Sequence, residues 1–260
     1  MEEFEKIRAA VRGKKILLFG PPGSGKGNRA RDLEALGLIP VASGIALRAK
    51  VRDDAESELS RKALGFMKAG ELVPDEIVTP IVMEHLRREE CRENGFVLDG
   101  FPRTKSQADF LFSRIELDLV LLLQVPRKFL AYGVVEANRR VCVKCAKGYS
   151  DFDPPARGDA CDRCGGDIVK RADDTSDTLQ KRLNLYDEQT MALLPDLEVK
   201  GIVVALPITV GNDVAVDPKH LKMLRGEVYW TETDQGDKAR MLNFDGMRQR
   251  LFDLLASRFL

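Results

Sequence analysis

The chain has 260 residues, which is enough for one large domain or for a domain that carries smaller insertions. Hydrophobic residues make up 44% of it and charged residues 32%, and this composition excludes disorder along the whole chain. The 41 basic and 41 acidic residues cancel to a net charge of zero, which argues against a dedicated nucleic-acid binder. A local basic pocket for a small phosphorylated molecule is still compatible with that balance.

Nothing in the sequence indicates a membrane segment. No apolar run approaches the roughly 20 residues that cross a bilayer. The first turns of the chain are acidic and amphipathic, with Phe4, Ile7 and Val11 at helical spacing, which is not the pattern of a signal peptide. We therefore expect a cytoplasmic monomer with no membrane and no nucleic-acid partner.

Short apolar runs alternate with helical segments along the chain. The clearest runs lie at residues 15–19, 96–99 and 119–125. Strands that are apolar on both faces are typical of a parallel sheet that helices cover on both sides. The sequence therefore predicts an α/β fold.

A glycine-rich loop follows the first apolar run. Residues 20–26 read G-P-P-G-S-G-K, which matches the phosphate-binding pattern G-x-x-x-x-G-K between a strand and a helix. The glycines let backbone N–H groups point inward, the helix N-terminus adds positive potential, and Lys26 can reach the β- and γ-phosphates. An ordinary glycine turn is the alternative, which the motif and its context disfavour. We predict a nucleotide site on a P-loop type of parallel sheet.

Four of the five cysteines fall within one segment, residues 138–174, that has almost no aliphatic core. Cys142, Cys145, Cys161 and Cys164 have the C-x2-C…C-x2-C spacing of structural zinc sites, and four thiolates fill a tetrahedral shell. Two disulfides are disfavoured in a reducing compartment, whereas an iron–sulfur cluster is an open alternative to zinc. The fifth, Cys91, is expected to be a half-buried structural residue.

Three further segments follow the loop in a fixed order. Residues 43–48 read S-G-I-A-L-R, residues 69–76 read A-G-E-L-V-P-D-E, and residues 99–107 read D-G-F-P-R-T-K-S-Q. The pattern is completed by the arginines Arg139, Arg171 and Arg182. With the G-K-G ending of the loop, these segments resemble the nucleoside monophosphate kinases and, among them, the adenylate kinases, over residues 14–195.

The resemblance implies a P-loop core with two insertions. Residues 42–73 would form a helical insertion that binds the nucleoside monophosphate, and residues 138–174 would form a small zinc-bound lid. The core would comprise residues 1–41, 74–137 and 175–260, with an extended region at the C-terminal end.

The same resemblance implies reversible phosphoryl transfer between MgATP and AMP to give two ADP, by direct in-line transfer. Such transfer needs aligned reactants, neutralised charge and excluded water. The implied catalytic residues are Lys26, Asp99, Arg103, Arg139, Arg171 and Arg182. Asp99 would orient Mg²⁺ through its water shell, whereas Zn²⁺ would have a structural role in the lid.

The implied nucleotide contacts form two sets. The ATP set is Gly23, Ser24, Gly25, Lys26, Gly27, Asn28, Arg139 and Tyr149. The AMP set is Ser43, Arg48, Glu71, Leu72, Val73, Gly100, Arg103, Gln107, Arg171 and Arg182. The Gln107 amide suits the adenine edge because it offers one donor group and one acceptor.

Three positions depart from the family pattern, all on the donor side. Asn28 replaces a threonine, Ile45 replaces an aspartate near the Mg²⁺ waters, and Val135 replaces an arginine that stacks on the donor adenine. We expect an active enzyme with altered handling of the donor. The alternatives are a kinase with another donor or acceptor, and a catalytically weak AMP-binding regulatory protein.

The C-terminal third leaves the last strand of the sheet open. It could lie at residues 201–205 or at residues 241–246, and the second choice requires an insertion of about 40 residues, longer than usual connections. Residues 227–231 and 239–244 are predicted to pair as a hairpin, before a final helix from Met247.

Overall fold

The structure is a computed structural model. It describes residues 2–125, 130, 138–145, 147–150, 154–156, 158–171, 174–207, 221–224, 227–230, 240–242 and 244–260. Val135 and residues 172–173 lie outside the described residues.

Five parallel strands form the central sheet of the described chain. They are β1 (Lys15–Phe19), β2 (Ile39–Ala42), β3 (Phe96–Asp99), β4 (Leu119–Gln124) and β8 (Val203–Pro207), in the order β2-β3-β1-β4-β8. In register, Leu17 of β1 lies between Leu98 of β3 and Val120 of β4. The predicted parallel α/β fold is confirmed.

The last strand of the sheet is β8, because it pairs in parallel with β4 and places Val203 beside Val120. Of the two candidate segments, residues 201–205 are therefore right and residues 241–246 are wrong. The backbone of the second segment instead contributes to a separate antiparallel sheet and to the final helix.

Helices precede, connect and follow the strands. They are α1 (Glu2–Val11), α2 (Lys26–Ala35), α3 (Ser43–Asp53), α4 (Glu58–Ala69), α5 (Asp75–Leu86), α6 (Glu89–Asn94), α7 (Lys105–Phe112), α8 (Ser176–Leu185), α9 (Leu194–Val199) and α10 (Phe244–Phe259). A π-helical turn (Tyr186–Thr190) and a 3-10 turn (Met191–Leu193) join α8 to α9. None of the described helices is long and apolar enough to cross a membrane.

The sheet has a packed core on each face. Ile16 and Leu18 of β1 belong to the core that includes α10, whereas Leu17 and Phe19 belong to the core on the opposite face. All four side chains are at most 2% exposed, which explains why the run lacks a polar alternation. Burial of each such side chain contributes roughly 1.5–3 kcal/mol. Cys91 packs in one of these cores and is fully buried, not half-buried as expected.

Two smaller sheets lie outside the central one. The first contains β5 (Arg140–Cys142), β6 (Gly148–Tyr149) and β7 (Ile168–Lys170), and it carries the cysteines. The second contains β9 (Leu221–Leu224), β10 (Glu227–Trp230) and β11 (Arg240–Leu242). The antiparallel pairing of β10 with β11 confirms the predicted hairpin, whereas β9 was not predicted.

Candidate active site

A cavity of about 810 Å³ lies where the strands β1 and β3 end. Its lining comes from the glycine-rich loop, from α3, from the segment after β3, from α8 and from the cysteine-bearing sheet. Every residue that the sequence assigns to the catalytic, ATP and AMP sets lines this cavity. The structure thus brings together residues that are up to 159 positions apart, from Gly23 to Arg182.

The glycine-rich loop wraps around its own lysine. Lys26 opens α2, and its Nζ donates to the carbonyl oxygens of Gly20 and Pro21 at 2.7 and 2.8 Å. Gly25 precedes the helix with a φ of 83°, a left-handed conformation that favours glycine. The loop thereby holds an ammonium group and a helix N-terminus at the cavity wall, where phosphate binds in such loops.

The surroundings of the cavity disfavour the charged forms of its basic side chains. Burial lowers the pKa of Lys26 to about 8; Asp99 opposes this shift, and Arg103 and Arg139 add to it. Burial also lowers the pKa of Arg103, again against Asp99 and with help from Arg182 and Arg48. Because each cation makes its neighbours harder to protonate, the site would gain electrostatic energy from a polyanion.

Arg103 is anchored by the backbone at the end of β3. Its Nε donates to the Gly100 carbonyl oxygen at 2.8 Å, and the Ser43 hydroxyl donates to the same oxygen at 2.7 Å. Gly100 has a φ of 76°, and a Cβ there would lie 2.8 Å from Arg103 Nη2 and from Ser43 Oγ. Another residue would be strained at this φ, and its Cβ would displace the Arg103 and Ser43 side chains, which explains the glycine at this position.

Gln107 lies in the first turn of α7 and is 3% exposed. The Thr104 hydroxyl caps this helix by accepting from the Gln107 backbone N–H at 3.2 Å. The Gln107 side chain accepts from the Arg103 backbone N–H through Oε1 at 2.7 Å and donates from Nε2 to Asp75 Oδ1 at 2.6 Å. Asp75 was not singled out in the sequence, although it lies in the L-V-P-D-E segment.

The four predicted metal ligands meet at one point. The Sγ atoms of Cys142 and Cys164 are 3.5 Å apart, as are those of Cys145 and Cys161, and all four lie within 4.8 Å of one another. A tetrahedral ion with Zn–S bonds of about 2.3 Å needs sulfur atoms about 3.8 Å apart, which fits this cluster. All four cysteines are free, so the structure does not support the disulfide alternative.

Tyr149 supports that cluster from inside the small sheet. Its hydroxyl donates to Cys161 Sγ at 3.2 Å and accepts from the Asp162 backbone N–H at 2.9 Å. Tyr149 is 2% exposed yet borders the cavity, so the residue joins the cysteine cluster to the cavity wall.

A sequence model of the adenylate kinase family matches residues 18–202. An adenylate kinase of Methanosarcina acetivorans is 41% identical over 209 residues, which cover 78% of this chain and 94% of that protein. Those of Syntrophotalea carbinolica (43%, covering 73% and 88%) and Geotalea daltonii (39%, covering 81% and 99%) are similarly related. The chain belongs to the adenylate kinase family. It is a phosphotransferase, and the strands β9 to β11 lie beyond the region that the family model matches.

The cysteine-bearing sheet of this adenylate kinase reaches across the cavity to two helices. The guanidinium of Arg163, between two of the cysteines, donates to both Glu34 carboxylate oxygens of α2, at 2.8 and 3.3 Å. On the other side, Arg52 of α3 donates from Nη1 to the Val143 carbonyl oxygen at 3.2 Å. The sheet therefore contacts both walls of the cavity.

Arg139, at the start of the cysteine-bearing segment of this adenylate kinase, forms an ion pair with a buried carboxylate. Its Nε donates to Asp174 Oδ2 at 2.7 Å, and its Nη2 contacts the other oxygen, which makes the pair bidentate. Asp174 is 3% exposed, so the pair fixes the guanidinium where the chain enters and leaves the small sheet.

Two donor-side departures from the adenylate kinase pattern are visible, and Val135 lies outside the described residues. Asn28 Oδ1 accepts from Arg31 Nη2 at 2.5 Å, so its amide oxygen is engaged by a neighbour on α2. Ile45 borders the cavity with 43% of its surface exposed.

The contact between Arg163 and Glu34 predicts a weak, salt-sensitive coupling between the cysteine-bearing sheet and α2. In a double-mutant cycle with Arg163→Gln and Glu34→Gln, we expect a coupling of about 0.2–1 kcal/mol, because both side chains are partly exposed. Hydrogen exchange of the amides of residues 140–149 measures it, with up to about fivefold faster exchange in each single variant.

The same cycle in 1 M salt is the control, since screening should remove most of the coupling. Strictly additive effects of the two substitutions at low salt would show that the ion pair does not hold the sheet.

Proposed function

We propose that the chain catalyses MgATP + AMP ⇌ 2 ADP by direct in-line transfer, without a phosphoenzyme. The observation that carries this proposal is that Asp99 and six of the basic side chains predicted from the sequence line the same cavity. The six are Lys26, Arg48, Arg103, Arg139, Arg171 and Arg182. Transfer between a donor and an acceptor nucleotide requires that the phosphates of both be positioned and neutralised together, which these side chains can do.

The donor phosphates are assigned to the glycine-rich loop. Residues 23–28 offer backbone N–H groups, and Lys26 exchanges the carbonyl oxygens of Gly20 and Pro21 for phosphate oxygens. Asp99 fits a hydrated Mg²⁺, because its carboxylate ends β3 beside the ammonium of Lys26. Bound with the donor, Mg²⁺ supplies charge neutralisation at the transferring phosphate.

The acceptor AMP is assigned to the opposite part of the cavity. Its phosphate would meet Arg48 and Arg103, of which the second is already oriented by the Gly100 carbonyl oxygen. Its base would lie against Gln107 and the backbone of residues 71–73. Arg171 and Arg182 would then bind the phosphates of both nucleotides between these two parts.

Residues 138–174 act in this proposal as a lid that excludes water. Arg139, held by Asp174, and Arg171 border the cavity from the two ends of this segment. Closing it over the phosphates removes the water that would otherwise accept the phosphoryl group. The four cysteines would hold a structural zinc ion, which replaces the apolar core that so small a segment lacks.

A second candidate is an AMP-binding protein with little turnover. Ile45 favours it, because an apolar side chain borders the cavity where the family pattern has a carboxylate. The retained basic cluster favours the enzyme, since a binder of AMP alone needs fewer cations.

Turnover of ATP and AMP separates the two candidates. With Mg²⁺ and zinc-loaded protein, we expect ADP formation that falls at least about 100-fold in Lys26→Ala, because one donor to the transferring charge is lost. Coupled-assay kinetics measure it, with the exposed Lys62→Ala of α4 as the matched control. AMP binding by calorimetry without turnover above the Lys26→Ala level would support the binding protein.

The pKa of Lys26, about 8 in the free protein, predicts a pH-dependent affinity for MgATP. Phosphate binds the ammonium form, so the dissociation constant should be flat below this pKa and rise above it, by at most about tenfold per pH unit. Because the neutral amine must then be protonated, binding at pH 9 should take up a proton.

Calorimetry in buffers of different ionisation enthalpy measures that uptake directly. Lys26→Met should bind more weakly but with no proton uptake above pH 8. Equal uptake by wild type and Lys26→Met would assign the titration to another group.

Metal loss should affect the proposed lid more than the central fold. Cys164→Ser removes one ligand of the cluster, and we expect it to lose the bound metal and to reduce turnover at least about tenfold. AMP affinity should change less, since the AMP set lies mainly outside the lid.

Metal analysis, kinetics and limited proteolysis of residues 138–174 measure these effects together. Cys91→Ser, buried in the central core, is the matched control and should keep its metal. Iron in place of zinc in the purified protein would decide for the iron alternative, and full metal content in Cys164→Ser would exclude the four-cysteine site.

A further inference from the structure

The orientation of the Gln107 amide is fixed from both sides. The Arg103 backbone N–H, which can only donate, meets Oε1 at 2.7 Å. The Asp75 carboxylate, which accepts when ionised, meets Nε2 at 2.6 Å. A flipped amide would place its NH2 against an N–H and its oxygen against a carboxylate. Because the side chain is 3% exposed, water cannot relieve either repulsion.

Asp75 is itself held in place. It begins α5, where a carboxylate is stabilised by the helix N-terminus. Its Oδ2 accepts from the Thr104 hydroxyl at 2.9 Å and from the Ser106 hydroxyl in the first turn of α7. Asp75 therefore connects the starts of two helices. Gln107 lines the cavity and Asp75 does not, so Asp75 lies behind Gln107 as seen from the cavity.

These contacts leave Gln107 one N–H and one oxygen lone pair for a ligand. A 6-aminopurine presents an amino donor beside a ring-nitrogen acceptor, which complements that pair in its fixed orientation. A 6-oxopurine presents an acceptor where the amino donor was. It would match the amide only after the flip that Asp75 and the Arg103 N–H oppose.

We propose that Asp75 is a positioning residue that makes the acceptor site specific for 6-aminopurine nucleoside monophosphates. This proposal rests on the proposed function, in which the acceptor base lies against Gln107. Asp75 acts only through Gln107 and touches no substrate. A site built on fixed hydrogen bonds discriminates well because the wrong ligand leaves buried polar groups unpaired.

The wild-type protein allows a test that no folding defect can obscure. The test compares three ligands by calorimetry. AMP has a hydrogen-bond donor at position 6 of the base, IMP has an acceptor there, and purine riboside monophosphate has no substituent. A fixed amide predicts affinities in the order AMP, purine riboside monophosphate, IMP. An amide that can flip would bind IMP more tightly than purine riboside monophosphate, and that order would overturn the proposal.

Asp75→Asn tests the residue itself, because asparagine can either accept from Gln107 or donate to it. We expect the ratio of kcat/KM for AMP to that for IMP to fall at least about tenfold, with the KM for ATP unchanged. The matched control is Asp109→Asn on the exposed side of α7, which should keep the wild-type ratio. A merely structural role of Asp75 would lower both kcat/KM values together and leave their ratio unchanged.

The outcomes also separate this proposal from the function on which it rests. If wild-type protein forms no ADP from ATP and AMP, the proposed function fails. If it turns over AMP but Asp75→Asn keeps the wild-type ratio of AMP to IMP, the proposed function stands and Asp75 has no part in specificity.

Discussion

The burial of several basic side chains in one cavity is the constraint on which the rest of the structure depends. The chain has no net charge, yet many lysines and arginines line one cavity. Burial lowers the pKa values of Lys26 and Arg103, and the neighbouring arginines lower them further. Backbone carbonyl oxygens accept hydrogen bonds from both cations in the free protein. The Lys26 ammonium donates to the loop, and the Arg103 guanidinium donates to Gly100. The backbone thus orients these cations before a ligand arrives, which reduces the reorganisation that binding and transfer require.

The proposed lid has weak contacts at its edges and strong ones inside. Arg163 and Glu34 are partly exposed, so their pair can break without a large cost when nucleotides enter or leave. The pair of Arg139 with the buried Asp174 is of the opposite kind, since breaking it leaves the Asp174 carboxylate unpaired in a dry environment. The cysteine cluster would add to this stiffness once it holds a metal ion. In the proposed function, a segment with a stiff interior and weak outer contacts would move as one unit.

Sequence patterns predicted those parts of the protein whose chemistry is local. The loop of residues 20–26 and the cysteine spacing each specify their own geometry, and the sheet follows from runs buried on both faces. The position of the last strand did not follow, because residues 201–205 and 241–246 each contain apolar residues and only pairing with β4 distinguishes them. Asp75 was missed for a related reason: its importance arises from contacts with Thr104 and Gln107, about 30 positions away, which a single sequence does not show.

The donor-side substitutions change the charge and the hydrogen-bonding groups that the site offers to the donor. Isoleucine at position 45 removes a negative charge from the family pattern, so the cavity becomes more positive and attracts phosphate more strongly. In the proposed function, the same change would leave Asp99 with fewer partners for orienting a hydrated metal ion. Asn28 has its oxygen bound to Arg31, so its NH2 group is what it can offer to a phosphate, whereas a hydroxyl could also accept. Both changes favour binding of the donor's phosphates over orientation of its metal ion. In the proposed enzyme the metal ion would therefore have fewer protein partners than in the family pattern.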